Sequence, residues 1–396
     1  MPRCILYIDM WIGDCVQEMK LAGIRRFADM RGWKVQVVPE KQSRPDDLRK
    51  LFTKNRPLGC VVECSASHDD LRPGLFTGIP TVWLDCRRGF CGGKPPMVVH
   101  DGEATARVAF HELAANRPTA YAVVGYVEPR NWSRIRERVF RSLAVAEGKR
   151  CYSFVGRKES SASRAKRMYR FVEGLPRRTA VFAVNDNMAL EVVDACRRMG
   201  KSIPADMTIM GVDNLASVCE DCTPSISSIQ IDFELAGYRA ASLLDALVTG
   251  RSSVANRTMF GPLMTVRRET TRGFGRREPR LMPAVDLIRR EACSGLKARD
   301  VLQTITGSRR LAELRFREMM GHSILDEIMS VRLEKVCFLL SRTDTAIGAI
   351  AAQCGFGSNI ALSKLFKRRF GMSLLAWRNA NRELRPRKFL AQIYKA

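Results

Sequence analysis

The stretch AIGAIAAQCGFGSNIALSKLFKRRF, Ala346 to Phe370, decides how the last third of this 396-residue chain folds. Ile347, Ile350 and Ala351 recur at helical spacing, Gly355 follows Ala351 by four residues, and Leu362, Leu365 and Phe366 mark one face of a second amphipathic run. That order predicts a helix-turn-helix: a small Ala lets two helices cross closely, and Gly at the turn can take a positive φ. The opposite face of the second helix carries Ser358, Asn359, Lys364, Lys367 and Arg368, donors that reach phosphates and base edges in a major groove. An earlier stretch, ARDVLQTITGSRRLAELRF from Ala298 to Phe316, repeats the order helix, Gly, Ser, basic helix, Phe. Between the copies, Leu325, Ile328, Met329, Leu333, Val336 and Leu340 form an apolar stripe without Gly or Pro, which predicts one long helix from Ser323 to Arg342. A stiff helix carrying two reading heads suits successive major grooves, about 34 Å apart.

Charge points the same way. The formal net charge is +25, which implies a polyanionic partner. Residues 276–396 hold 24 Lys and Arg against 11 Asp and Glu, so the C-terminal part is more than twice as basic per residue as the rest. Counterion release then predicts strongly salt-dependent binding. A chain of 396 residues exceeds one hydrophobic core, so two or three domains are expected.

Thirteen cysteines, an odd number scattered through apolar segments, favour reduced thiols in a cytoplasmic protein. The one Cys-x-x-Cys, Cys219 to Cys222, lacks a second pair, and His68, His100, His111 and His322 form no cluster, so no metal, cofactor or catalytic residue is assigned. Asp9 interrupts the short N-terminal apolar run, which argues against a signal peptide, and no apolar stretch is long enough for a membrane span.

From Cys4 to about Arg272, short continuous apolar runs alternate with helix-like segments. The runs at 4–9, 35–38, 59–64, 81–85, 120–125, 180–184 and 208–212 read as parallel strands covered on both faces. Helical segments near 15–31, 102–116, 133–147, 187–200 and 234–249 complete a doubly wound α/β pattern. Ligands in such folds bind beyond the carboxyl ends of the strands. Asp9, Trp11, Asp101, Asn185, Asp186, Asp213 and Asn214 occupy such positions, and Arg136 lies in the first turn of the helix after the run at 120–125. Trp11, Trp132 and Phe76 are candidates to cover the apolar side of a ring, whereas Trp83, mid-strand, reads as core. An Asp after a strand also serves as a helix N-cap, a reading that stays open for Asp101 and Asp186.

Two resemblances follow from these residues. Residues 283–396, through the second copy and its ending Gly371, Met372, Ser373 and Arg378, resemble the DNA-binding domain of AraC/XylS-type regulators, with motifs at about 297–318 and 346–370. The first copy departs from that pattern: Gly307 sits one place late, and Ala312 stands where the family packs a Leu, for which Leu311 would substitute by a small rotation. Residues 1–272, through AVNDNMA (183–189), MGVDN (210–214), NWSRIRERVF and SSIQIDFELAGYRAASLL (227–244), resemble the type I periplasmic-binding-protein-like sensor of LacI-type regulators. That resemblance implies lobe one at about 1–100 and 230–265, lobe two at about 101–229, and Arg136, Asp186 and Asp213 holding an effector. The basic, Gly-containing residues 273–282 read as the linker.

Together these imply a transcription regulator, more readily an activator than a repressor, that binds operator DNA as a homodimer and meets RNA polymerase. The effector implied is a monosaccharide, a pentose such as D-xylose first. Ser308, Arg309, Arg310, Glu313, Ser358, Asn359, Ala361 and Lys364 are the expected reading residues, with Arg315, Lys367 and Arg368 anchoring phosphates. An enzyme acting on a sugar or nucleoside is the alternative class; no phosphate-cradling Gly loop or nucleophile elbow supports it. A repressor answering a non-sugar ligand, and a transport binding protein, are the others.

Overall fold

The structure is a computed structural model that describes residues 3–8, 15–64, 71, 73–86, 95–126, 130–250, 257–271, 281–320, 323–370 and 373–380. Two parallel sheets build the first part. One has the order β11(Arg257–Phe260), β5(Met97–His100), β4(Thr81–Leu84), β3(Gly59–Glu63), β1(Cys4–Ile8), β2(Lys34–Val38). The other runs β12(Pro262–Val266), β10(Ser227–Ile231), β9(Met207–Val212), β8(Thr179–Ala183), β6(Ala120–Val124), β7(Cys151–Phe154), with only β12 antiparallel. β3, β6, β8 and β9 are buried along their whole length, as parallel strands between two helical layers must be. The expected two-lobed α/β architecture is present. The lobe boundary differs, because β10 and β12 both belong to the second sheet, leaving only 232–260 as the return through lobe one.

The chain therefore passes between lobes after β5, after β10 and at Gly261. In lobe one, α1(Cys15–Arg31) lies against α8(Phe233–Val248), and two glycines set how closely. A Cβ on Gly23 would sit 1.9 Å from the Glu234 carbonyl oxygen, and one on Gly237 1.8 Å from that of Lys20. No other residue type fits there without moving a helix. Lobe two is layered by α3(Gly102–Ala114), α4(Asn131–Ala146), α5(Ser161–Glu173) and α6(Asp186–Arg198), while α2(Pro45–Asn55) flanks lobe one and the short α7(Ala216–Cys219) follows β9.

After residue 281 every regular element among the described residues is helical: α9(Met282–Glu291), α10(Ala298–Leu302), α11(Arg309–Met320), α12(Ile324–Arg342), α13(Ile347–Gln353), α14(Asn359–Phe370) and α15(Leu374–Ala380). The long connector is α12, opened by a capping box in which Ser323 and Asp326 satisfy each other's backbone amides. Its first half gives Ile324 and Ile328 to one small core, and its second half gives Leu333, Val336, Cys337 and Leu340 to another. Between them the buried Arg332 donates to the carbonyls of Ala292 at 2.7 Å and Leu296 at 2.8 Å, pinning the preceding helix ends to α12. The assigned linker, 273–282, lies outside the described residues up to 280, as do Gly371 and Met372. Among the described residues no helix is long and apolar enough to cross a membrane.

Candidate functional site

A cleft of about 170 Å³ opens between the lobes, lined from lobe one by Gln17, Lys20, Asp85, His100 and Phe233 and from lobe two by Tyr126, Arg130, Trp132, Arg136, Asn185, Asn187, Asp213 and Leu215. Helix α1 brings Lys20 in at one wall. Its ammonium, 1 % exposed, donates to Glu63 Oε2 at 2.8 Å and to Asp85 Oδ2 at 3.2 Å. Burial would lower the lysine, but the two carboxylates outweigh it and hold the ammonium above its ordinary range. Asp85 follows β4 with φ +54° and accepts from the His100 amide at 2.8 Å. Burial raises its carboxyl, and Glu63 adds to the rise against the pull of Lys20.

His100, at the end of β5, meets Thr105 Oγ1 through Nε2 at 3.1 Å. Burial first, then the charges of Arg136 and Lys20, depress the imidazole well below its usual range, so it is neutral and can accept from a guanidinium. Arg136 Nη2 lies 3.3 Å from the same ring nitrogen. Its Nη1 donates to the Val184 carbonyl, its guanidinium stacks 4.9 Å from the Trp132 ring centroid, and its buried Nε has no partner among the described residues. α4 begins at Asn131, so Arg136 is in the second turn of the helix, not the first. Burial lowers the Arg136 guanidinium from its ordinary range, and Asp213, half-buried after β9 with φ +101°, is the first of the carboxylates that oppose the fall.

Other expected residues fall elsewhere. Asn185 lines the cleft while its side chain caps α6, accepting from the Met188 amide at 3.0 Å. Asp186, fully buried, does not line it: its carboxylate accepts from Ser228 Oγ at 2.6 Å and the Leu215 amide at 2.8 Å, on the inner side of the first turn of α6. Burial, followed by the nearby Asp213, pushes that carboxyl up to about 7. Asn187 is the exposed residue of that turn facing the cleft. Asn214 has φ +56°, gives its amide to Ser228 Oγ at 3.0 Å and is absent from the cleft wall. Asp101 is the N-cap of α3, accepting from the Ala104 amide. Phe76 packs edge-on against Trp83, ring centroids 5.3 Å apart, in the core of lobe one; Trp83 is core as expected. Asp9 and Trp11 lie outside the described residues. Sequence reasoning passed over Lys20, Asp85 and His100, although the rule of inspecting each strand's carboxyl end points to the last two.

In the helical part, Ala312 and Phe316 of α11 are buried as Leu362 and Phe366 of α14 are. The two helices thus share one rotational phase. The small Ala312 fills the inward position itself, and Leu311 stays 38 % exposed; no rotation replaces one by the other. Gly355 has φ +74°, and a Cβ there would stand 3.0 Å from the Cys293 carbonyl, so the turn requires glycine on both counts. Ser308 Oγ accepts from the Leu311 amide at 3.3 Å and Ser358 Oγ from the Ala361 amide at 3.2 Å, making both N-caps. Arg309, Arg310, Asn359, Ala361, Lys364, Lys367 and Arg368 are exposed; Glu313 and Arg315 are partly buried.

Residues 110–271 match the periplasmic binding protein-like domain family, and residues 305–380 match a helix-turn-helix domain family. The xylose operon regulatory protein of Escherichia coli K12 is 27% identical over 313 residues, covering 77% of this chain and 80% of that protein. The chain joins a periplasmic-binding-protein-like domain to an AraC-type helix-turn-helix domain. A transcriptional activator of Klebsiella pneumoniae is 37% identical over 76 residues, 19% of this chain and 27% of that protein. A solved structure of a xylose-binding transcription activator aligns over 95% of this chain and 98% of its own at 22% identity, with a TM-score of 0.59, a likeness of fold. This two-domain chain is a DNA-binding transcription regulator and not an enzyme.

Proposed function

We propose that this regulator senses a monosaccharide in the cleft between its lobes and transmits its presence to operator DNA. The observation that carries the reading is that the Arg136 guanidinium and the Asp213 carboxylate both line one cleft, also walled by Lys20, Asp85, Asn185 and Asn187. Vicinal hydroxyls donate to carboxylates and accept from a guanidinium, which fixes position and stereochemistry together. Phe233 and Trp132, both on the cleft wall, supply apolar surface for the carbon face of a ring. The relatives' names favour D-xylose as the effector and activation as the output. Asn359, Ala361 and Lys364, with Arg309, Arg310 and Glu313, would face base edges, while Arg315, Lys367 and Arg368 would hold phosphates. A homodimer that recruits RNA polymerase completes the proposal. A dimeric lac repressor bound to operator is among the fold's neighbours, at 19% identity and a TM-score of 0.56.

Calorimetric titration of the full chain with D-xylose, other pentoses, hexoses and non-sugar metabolites tests it. Saturable binding of one sugar, with a matching shift in affinity for operator DNA, is the expected result. Binding of no sugar in the panel, or binding without any effect on DNA affinity, would sink it.

A further inference from the structure

The shared phase of α11 and α14 puts their residues in register: Ser308 with Ser358, Arg310 with Ile360, Leu314 with Lys364. The outward side of each helix therefore mixes cations with large aliphatic side chains. Leu314 is 53 % exposed and Ile360 68 % exposed. Both stand among the exposed charges of their own helix, Arg310 beside Leu314 and Lys364 beside Ile360, which suits a polyanion rather than an apolar protein partner. Within a duplex, the one apolar feature on a base edge in the major groove is the 5-methyl group of thymine.

We propose that Leu314 and Ile360 read thymine methyl groups, one at each head, so that this chain's binding sites are defined in part by methyls and not only by hydrogen bonds. The inference rests on α11 and α14 being the helices that enter the groove. Ile360, β-branched and in the first turn of α14, projects as a short rigid knob; Leu314 reaches further from the second turn of α11. At the position where the second head offers Lys364 to a guanine or a phosphate, the first head offers only hydrocarbon. The two heads accordingly demand different base pairs despite their shared residue order.

The test uses the full chain and duplexes selected from a random library. Each thymine of the best duplex is replaced in turn by deoxyuridine, which removes the methyl and leaves every hydrogen bond. Affinity is then read by fluorescence anisotropy for the parent protein, Leu314→Ala, Ile360→Ala and Ile360→Val. The parent should lose about four-fold at one or more thymines, the worth of roughly one buried methyl group. Ile360→Ala should abolish the penalty at one site, Leu314→Ala at another, and Ile360→Val should retain most of it. Both side chains are exposed, and unchanged melting temperatures will show that the variants fold. A parent indifferent to every replacement, or variants that keep the parent's penalties, would overturn the proposal. If Arg310→Ala and Lys367→Ala bind the parent duplex with unchanged affinity, it is the assignment of the groove-entering helices that fails instead.

Discussion

Lys20 and Asp85 meet at 3.2 Å on the wall of the interlobe cleft, and behind them Glu63, fully buried, takes the same ammonium at 2.8 Å. Lys20 thus holds two carboxylates, one facing the cleft and one facing the core. Lys20→Met keeps the stem and removes the charge, taking from the buried Glu63 the ammonium that it holds at 2.8 Å. Removing one partner of a buried pair costs about 3 to 5 kcal/mol. Denaturant unfolding should show a loss of that order for Lys20→Met and a much smaller one for Asp85→Asn, which leaves the inner pair intact. Equal losses would show that the cleft-facing carboxylate is as structural as the buried one.

Asp213 gives the cleanest separation of sensing from folding. Its φ of +101° is tolerated by Asn and strained for Ala, so Asp213→Asn is the variant that isolates the charge. It should weaken effector binding at least ten-fold, since a hydrogen bond to a charged group contributes about 1.5 to 3 kcal/mol, while DNA affinity without effector stays as it was. Titration of effector and of operator separately checks both halves. Unaltered effector affinity would remove Asp213 from the binding set.

What the sequence made legible follows burial. β3, β6, β8 and β9 are apolar runs enclosed on both faces and were readable as such, whereas the edge strands β7 and β11 are partly exposed and mixed in composition. α2 and α5 were missed for a similar reason, carrying few buried positions among many polar ones. In the cleft, Arg136, Asn185 and Asp213 stand beside strand ends in motif order and could be found. Lys20 could not, because a lysine in mid-helix looks like a solvated side chain until Glu63 and Asp85, more than forty residues away, are seen to enclose it. Asp186 illustrates the converse: the Asn-Asp dipeptide is conspicuous, but the turn of α6 directs its acid inward to Ser228.

That inward acid has a pH signature. The folded Asp186 carboxyl lies at about 7 against an ordinary 3.8, so the fold favours its protonated form. Stability from this group is full below the unfolded value and is lost as pH rises through 7. Asp186→Asn stays neutral throughout. The melting temperature of the parent relative to Asp186→Asn should therefore fall between pH 5 and pH 8 in scanning calorimetry. A gap that widens in the parent's favour with rising pH would mean that the carboxylate is ionised and stabilising.

The two classes of DNA contact should separate by sequence. Arg310, in the first turn of α11, and Lys367, three residues beyond Lys364 on α14, are both exposed, and the proposal gives the first a base edge and the second a phosphate. Arg310→Ala should cost about 1 to 3 kcal/mol at one base-pair position and relax preference there, and Lys367→Ala should weaken all duplexes alike while reducing the salt slope by about one. Binding curves on single-position variants at two salt concentrations distinguish them. Equal loss from both changes on every duplex would refute the division.

Packing and sensing meet at Gly237. Its Cβ position lies 1.8 Å from the carbonyl oxygen of Lys20, so Gly237→Ala can be accommodated only by moving α1 away from α8. The displaced residue is the one whose ammonium binds Glu63 and Asp85, and α1 also brings Gln17 to the cleft. Ala is intrinsically favoured over Gly in a helix by about 1 kcal/mol, yet overpacking of this kind costs about 1 to 3 kcal/mol or more, so the net effect on stability should be modest while the cleft is distorted. Gly237→Ala is thus expected to lower effector affinity more than it lowers the unfolding free energy. A control at Gly148, which has φ +75° and open space around its Cβ position, carries backbone strain without touching α1. If both variants lost stability and effector affinity in the same proportion, the α1–α8 crossing would have no particular hold on the cleft.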